Sequence, residues 1–288
     1  MKAHSSLDTP CAKRNKSRTK MTSLQGCTAL ITGASSGIGA ELARQLAPHA
    51  RALVLVARRR ERLDALKAEI ERSGMEIQCH AVDLADGGQV EAMLASLAAS
   101  GTKVDFLINN AGLGDHGLFE ASDWQRVQGM LDVNIKALTR LTHALLPGII
   151  RSGRGAILNV SSITAYLPMP MMAVYAASKA YVNSFTEAIR AELRGTGVSV
   201  CALCPGPVAT EFGARALRAG ESDAAPAPEF LKLPVERIAR EGLRAVGRNQ
   251  ARWIPGLPLA VLMFLTALVP IFLLRPFLVP RRREAGKA

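Results

Sequence analysis

Tyr175 and Lys179 stand four residues apart in the stretch Tyr175-Ala-Ala-Ser-Lys179, a spacing that puts both on one face of a helix. A phenol beside a carbonyl oxygen can give it a proton, and the phenolate can take one back from an alcohol. The ordinary tyrosine pKa of ~10 is too high for efficient base work near neutrality. A nearby ammonium stabilises the phenolate and lowers that value. Ser162 follows an apolar run thirteen residues before Tyr175, and its hydroxyl could hydrogen-bond and orient a substrate oxygen. Ser161 is its adjacent rival. Asn134 lies in Asp132-Val133-Asn134, twenty-five residues after Asn109; by itself it would be read as a capping or helix-kinking residue.

These side chains need a frame. From Leu24 onward, strand-like apolar runs at 27–32, 52–57, 77–82, 104–109, 155–160 and 198–204 alternate with amphipathic stretches at about 37–47, 59–73, 86–99, 123–151 and 174–194. Strict alternation implies parallel strands, right-handed crossovers and helices on both faces: an α/β, doubly wound sheet. Ligands of such sheets sit beyond the carboxyl ends of the strands, so landmarks are expected there. Residues 211–233, rich in Ala, Gly, Pro and charge, read as a substrate lid or a disordered loop. A helical pattern resumes at 236–247, and Ala251–Ile254 could form a last short strand. The chain thus divides into a basic extension at 1–22, expected to be disordered, with Met21 as an alternative start, one domain at 23–254, and an extension at 255–288.

The landmarks do follow strands. Thr32-Gly33-Ala34-Ser35-Ser36-Gly37-Ile38-Gly39 joins the first strand to the first helix, where glycines permit a tight turn and the helix N-terminus favours a pyrophosphate. After the second strand comes Ala57, not the acidic residue that would bind a ribose 2′-hydroxyl, and then Arg58, Arg59 and Arg60. Arg58 is expected to bind a 2′-phosphate with its planar donors, whereas Arg60 reads as the solvated start of a helix. NADP(H) is therefore favoured over NAD(H). Asp83-Leu84 follows the third strand, Asn109-Asn110-Ala111-Gly112 the fourth, and Pro205-Gly206-Pro207-Val208-Ala209-Thr210 the sixth.

Taken together, these motifs resemble the short-chain dehydrogenase/reductase family over roughly residues 24–254, which implies a single Rossmann-like domain and a homo-oligomer. The resemblance implies that Gly33, Ser35, Ser36, Gly37, Ile38 and Gly39 cradle the cofactor and that Asp83 and Leu84 meet its adenine. It implies that Asn110, Ala111 and Gly112 line the cleft, and that Pro205, Gly206, Val208 and Thr210 lie by the nicotinamide. Tyr175 becomes the acid/base and Lys179 also holds the nicotinamide ribose. The family spacing selects Ser162 over Ser161, and Asn134 holds a water in a proton relay to the lysine. One departure is Ser36, where many NADP-specific relatives place a basic residue. A non-catalytic dinucleotide sensor or scaffold is the alternative, and the intact set of four argues against it. A sugar-nucleotide epimerase or dehydratase would need a separate substrate domain for which the chain has no room.

The chain has 288 residues and a formal charge of +12. Residues 1–20 hold +5 of this and 281–288 hold +3, leaving +4 on the other 260 residues, so the basic excess sits in two tails rather than on a nucleic-acid docking face. Five scattered cysteines and no secretory signal suit free thiols in a reducing, cytoplasmic setting. Cys201 and Cys204 are three apart on a strand and point to opposite faces, which excludes a shared metal. Leu167, Met169, Met171 and Met172, between Ser162 and Tyr175, make that segment apolar and adaptable, which suits a lipophilic carbonyl or alcohol as much as plain core. Finally, Ile254 to Leu274 is a run of twenty-one uncharged residues followed by Arg275 and Arg281–Arg283, long enough to span a bilayer but broken by Pro255, Gly256, Pro258 and Pro270. Contact of 255–283 with the inner face of a membrane and a cap or dimer element are both open readings.

Overall fold

The computed structural model describes residues 24–208, 210–218 and 232–278; the expectations for 1–22, for most of the lid and for the terminal arginines fall outside these residues. Seven strands form one parallel sheet: β1 (Thr28–Thr32), β2 (Ala52–Ala57), β3 (Glu76–Ala81), β4 (Phe106–Asn109), β5 (Ala156–Val160), β6 (Ser199–Leu203) and β7 (Arg252–Trp253), in the spatial order β3-β2-β1-β4-β5-β6-β7. Helices α1 (Gly37–Leu46), α2 (Arg60–Ile70), α3 (Gly87–Ala99), α4 (Trp124–Leu131), α5 (Leu138–Arg151), α6 (Ala173–Glu192), α7 (Glu211–Ala216) and α8 (Val235–Gly247) connect or cover the strands. The expected six strands, and the short seventh, are each found within two residues of their places.

Period-two alternation divides the strand residues between two apolar layers. Ala29, Ile31, Leu53, Leu55, Phe106, Ile108, Leu158 and Leu203 pack with Leu42, Leu63 and Leu243 of α1, α2 and α8. Leu30, Val54, Val56, Leu107, Ile157 and Val200 pack with Met93, Leu141 and Ile189 of α3, α5 and α6. Burial on both faces explains why β1, β2, β4, β5 and β6 read as continuous apolar runs. The strand order reverses between β1, paired with β2 on one side and β4 on the other, and a doubly wound sheet opens a ligand crevice at that point.

The amphipathic stretch at 123–151 is not one regular helix. A π-helical segment, Asp132–Ala137, separates α4 from α5 and carries Asn134. After β7, α9 (Leu257–Ala267) and α10 (Ile271–Leu274) replace the expected long apolar run, and no helix among the described residues is long and apolar enough to cross a membrane. The reason is local: eleven residues reach only ~16 Å against a hydrocarbon core of ~30 Å, and Pro270 begins a new turn. Leu259 and Met263 are buried and α9 packs on the turn Ile163–Tyr166, while Leu257, Phe264, Leu268 and Phe272 are 75, 64, 65 and 62 % exposed.

Candidate active site

The ends of β1 and β4 are tied together before any ligand chemistry is considered. Thr32 Oγ1 accepts hydrogen bonds from the backbone N–H of Asn110 (2.9 Å) and Ala111 (3.0 Å), and Asn110 Nδ2 donates to the carbonyl oxygens of Thr32 (2.9 Å) and Gly33 (3.3 Å). Asn109 Nδ2 reaches Thr142 Oγ1 (3.0 Å) and Asn159 Oδ1 (2.9 Å), and Asn159 Nδ2 reaches Thr186 Oγ1 (2.9 Å), which stitches β4 and β5 to α5 and α6. The glycine loop is packed against this frame. A Cβ on Gly39 would lie 2.4 Å from both Asn110 Nδ2 and the Gly33 carbonyl oxygen, so no larger residue fits there. Ser36 is the N-cap of α1 but makes no capping hydrogen bond, which leaves first-turn N–H groups for an anion. The Ile38 side chain packs on the apolar layer of α1 and α8, and that of Leu84 belongs to the opposite layer.

The four catalytic candidates converge. Tyr175, Lys179, Ser162 and Asn134 are all buried. Ser162 acts on the Tyr175 phenol to lower its pKa, and its Oγ accepts from Thr164 N (3.2 Å). Lys179 Nζ donates to the Val160 carbonyl oxygen (2.9 Å) and lies 5.7 Å from the centre of the Tyr175 ring. Asn134 Oδ1 accepts from Leu113 N (2.8 Å), and its Nδ2 donates to Leu113 O (2.9 Å) and Ser178 Oγ (2.9 Å). It is thus both the residue at the π-helical segment and a member of the site. Gly112 borders two of the four, since a Cβ there would lie 3.4 Å from Lys179 Nζ and 3.5 Å from Asn134 Oδ1. Ser161 points elsewhere, its Oγ donating to Lys179 O (3.0 Å).

Burial dominates the electrostatics. It pushes the Tyr175 phenol up to about 12, with the Ser162 hydrogen bond pulling the other way. It pushes the Lys179 ammonium down to about 8. The expected lowering of the tyrosine by the lysine is therefore not the leading effect within the chain itself.

The arginines that follow β2 diverge. Arg58 is 57 % exposed and pairs at 3.9 Å with Asp83, whose Oδ1 also accepts from Ala85 N (3.0 Å). Arg59, passed over in the sequence, reaches the glycine loop, its Nη2 donating to Ser35 Oγ (3.1 Å) and Ser36 Oγ (3.0 Å). Residues leaving a strand point alternately to opposite sides, so only one of two neighbouring arginines can reach that loop. Arg60 pairs with Asp64 on the surface of α2, as read.

Beyond β6, the Pro205 carbonyl accepts from Ile163 N (3.1 Å), and Val208 packs on the core. Gly206 lies half-buried between them. Thr210 caps α7 through a 3.4 Å bond from Phe212 N, and its methyl faces Gly37. The Phe212 ring lies 5.5 Å from that of Tyr175, and both join Leu113, Val127, Met130, Met172 and Val174 in a small apolar cluster. Leu167, Met169, Met171 and Met172 are half-buried, so they are not plain core. Met171 takes a left-handed backbone (φ 69°) and accepts from Gly117 N at 2.7 Å, tying the substrate-side segment to the loop after β4. Cys27, Cys79, Cys201 and Cys204 are free thiols, and no group of potential metal ligands occurs among the described residues.

A family model described as "short chain dehydrogenase" matches residues 27–220. The chain belongs to that family. It is an oxidoreductase of the CH–OH group and binds a nicotinamide dinucleotide. It is 43 % identical over 189 residues to a sulfoacetaldehyde reductase of Chromohalobacter salexigens, covering 63 % of this chain and 72 % of that protein. It is 32 % identical over 216 residues to a human very-long-chain 3-oxoacyl-CoA reductase, covering 73 % and 68 %. Among solved structures it matches a short-chain dehydrogenase from Sphingobium yanoikuyae in complex with NADPH, with a TM-score of 0.74, 33 % identity and coverage of 91 % of this chain and 98 % of that one. It also matches a bulky-bulky ketone specific alcohol dehydrogenase from Comamonas testosteroni, with a TM-score of 0.70, 28 % identity and coverage of 91 % and 97 %.

Proposed function

We propose that the protein interconverts a lipophilic carbonyl compound and its alcohol with NADP(H), using Tyr175 as acid and base. The observation that carries this reading is the burial of Tyr175, Ser162, Lys179 and Asn134 together, with Lys179 Nζ 5.7 Å from the centre of the Tyr175 ring and Gly112 bordering both Lys179 and Asn134. When bound, the nicotinamide supplies the hydride and, in its oxidised form, a positive charge. In the reductive direction the Tyr175 hydroxyl gives its proton to the carbonyl oxygen as that oxygen gains charge, and Ser162 holds the same oxygen in place. Lys179 then favours the phenolate that remains, and Asn134 borders the path by which a proton returns. In the oxidative direction the phenolate takes the alcohol proton. Phe212 and the apolar cluster around it keep water from the ring.

Preference for NADP(H) is supported by Ala57 at the end of β2 and by the arginines that follow it, Arg59 at the glycine loop and Arg58 beside Asp83. A lipophilic substrate is supported by the half-buried Leu167, Met169, Met171 and Met172 beside the site, and by relatives named for long-chain acyl and bulky ketone substrates. A panel of aldehydes and ketones of increasing chain length, followed at the NADPH absorbance band, tests this. The reading expects kcat/KM to rise with apolar length, and a preference for small charged carbonyls such as sulfoacetaldehyde would overturn it.

We further propose that residues 255–283 rest on the cytoplasmic face of an anionic bilayer. The support is the exposed apolar surface of α9 and α10 directly beside Arg275, with three more arginines following in sequence at 281–283. Full-length protein should sediment with phosphatidylglycerol-containing vesicles, less so in salt and less with purely zwitterionic ones. No vesicle binding, with concentration-dependent self-association instead, would assign the surface to a second copy of the chain.

A further inference from the structure

The short helix α7 is strapped down at both ends. At its far end, Arg218 donates to both carboxylate oxygens of Asp115 (3.1 and 2.6 Å) and to Ser122 Oγ (2.7 Å), while His116 N donates to the Ala216 carbonyl (2.9 Å). At the near end the strap is Glu211. Its carboxylate accepts from Arg59 Nη1 (3.0 Å), from Arg62 Nη1 and from Arg215 Nη2 (2.6 Å). Arg59 is the same guanidinium that donates to Ser35 and Ser36, so one cation is shared between the glycine loop and the helix over Tyr175. Beside it opens a cavity of about 310 Å³ lined by Ser35, Ser36, Gly37, Arg62 and Glu69 among others. The arginines hold the Glu211 carboxyl well below the usual range, at about 2, so it is an anion at any working pH.

A carboxylate on a pair of arginines does chemically what a phosphate would do there. We infer that Glu211 is a resident anion that competes with the cofactor's 2′-phosphate for Arg59 and Arg62, and so sets both the strength of NADP(H) selection and the hold of α7 over Tyr175. The inference rests on the proposed NADP(H) reading. Its three pairs are part-exposed (Glu211 41 %, Arg59 28 %, Arg62 48 %), and exposed pairs contribute little, so a phosphate near two negative charges displaces the carboxylate. A nucleotide without that phosphate leaves Glu211 where it is. The near end of α7 is then released by one ligand class and kept by the other.

The test is calorimetric binding of adenosine 2′,5′-bisphosphate and of ADP to the full-length chain and to Glu211→Gln and Arg59→Ala, with hydrogen exchange read across 211–216. Glu211→Gln should tighten the 2′-phosphorylated ligand at least about threefold and leave ADP unchanged. In the wild type the bisphosphate should speed exchange in α7 where ADP does not, and in Glu211→Gln exchange should be fast without ligand. If Glu211→Gln weakens the bisphosphate or leaves it unchanged while Arg59→Ala weakens it, Glu211 only orients the arginine and the inference falls with NADP(H) selection intact. If the wild type binds both nucleotides equally and Arg59→Ala changes neither, NADP(H) selection falls and the inference with it.

Discussion

The centre of the sheet and its β7 edge obey opposite rules. At the centre, Asn109, Asn159, Thr142, Thr186, Asn134 and Ser178 are buried polar groups linked by hydrogen bonds, with Asn109 Oδ1 left without a partner, and Tyr175 and Lys179 sit in the same dry frame. At the edge, α9 and α10 keep large apolar side chains in the open and anchor themselves through Leu259 and Met263. Polar groups inside hold geometry because each depends on its partners, whereas apolar groups outside can meet many molecules because they are bound to none. Under the proposed function, the chemistry is fixed where the protein is dry, and the choice of what approaches is left to the rim.

The sharpest way to break this contrast is at the proposed proton donor. Tyr175→Phe should cut turnover at least ~100-fold, the size expected of a lost general acid, with NADPH affinity nearly unchanged because the glycine loop and arginines are untouched. Retention of more than about a tenth of the wild-type rate would mean the acid/base lies elsewhere.

The dry frame also has a pH signature. Lys179 titrates near 8 in the folded chain against 10.5 for an ordinary lysine. Between those values the unfolded chain holds a proton that the folded chain lacks, so folded stability rises with pH across that window. Relative to Lys179→Met, the wild type should therefore gain roughly 3 kcal/mol between pH 8 and 10.5, measured by urea unfolding of both proteins. Tyr175 contributes the opposite slope from pH 10 to about 12, but it is present in both proteins and cancels in the difference. A constant gap across the window would show that the lysine is hydrated.

At the edge, position matters more than residue type. Leu259→Ala should cost about 2–4 kcal/mol, because that side chain is 4 % exposed. It should also lower activity on long substrates, since α9 supports the turn after Ser162. Phe264→Ser, at a site 64 % exposed, should change stability by less than about 0.5 kcal/mol yet weaken vesicle sedimentation. Equal stability losses at the two positions would make the exposed face part of a packed interface instead.

The last contrast concerns cofactor choice. Arg59→Ala should weaken NADPH about tenfold or more relative to NADH, from the loss of a charge-assisted contact of ~1.5–3 kcal/mol. Arg58→Ala should do less, being more exposed and already beside Asp83. The reverse ranking in binding titrations would restore Arg58 to the place the sequence suggests.

Most of the scaffold was legible in the residues. Parallel strands buried on both faces need unbroken apolar runs, and helices lying on them need periodic ones, so alternation alone specified the doubly wound sheet. The glycine loop, Ser162, Tyr175 and Lys179 were legible too, because steric freedom and one helical turn are local properties. What the sequence could not decide were choices between neighbours and pairings between distant segments. Which of Arg58 and Arg59 reaches the glycine loop depends on which way the chain leaves β2, and Glu211 meets Arg59 only after about 150 residues of chain have folded back over the sheet. The π-helical turn at Asn134 exists because Leu113 and Ser178 engage its amide from two other segments. The apolar run at 254–274 had the length of a membrane span, but Pro270 and the packing of α9 on the core make it two short helices. Local sequence determines which conformations and chemistries are available; long-range packing decides which of two adjacent side chains meets which partner.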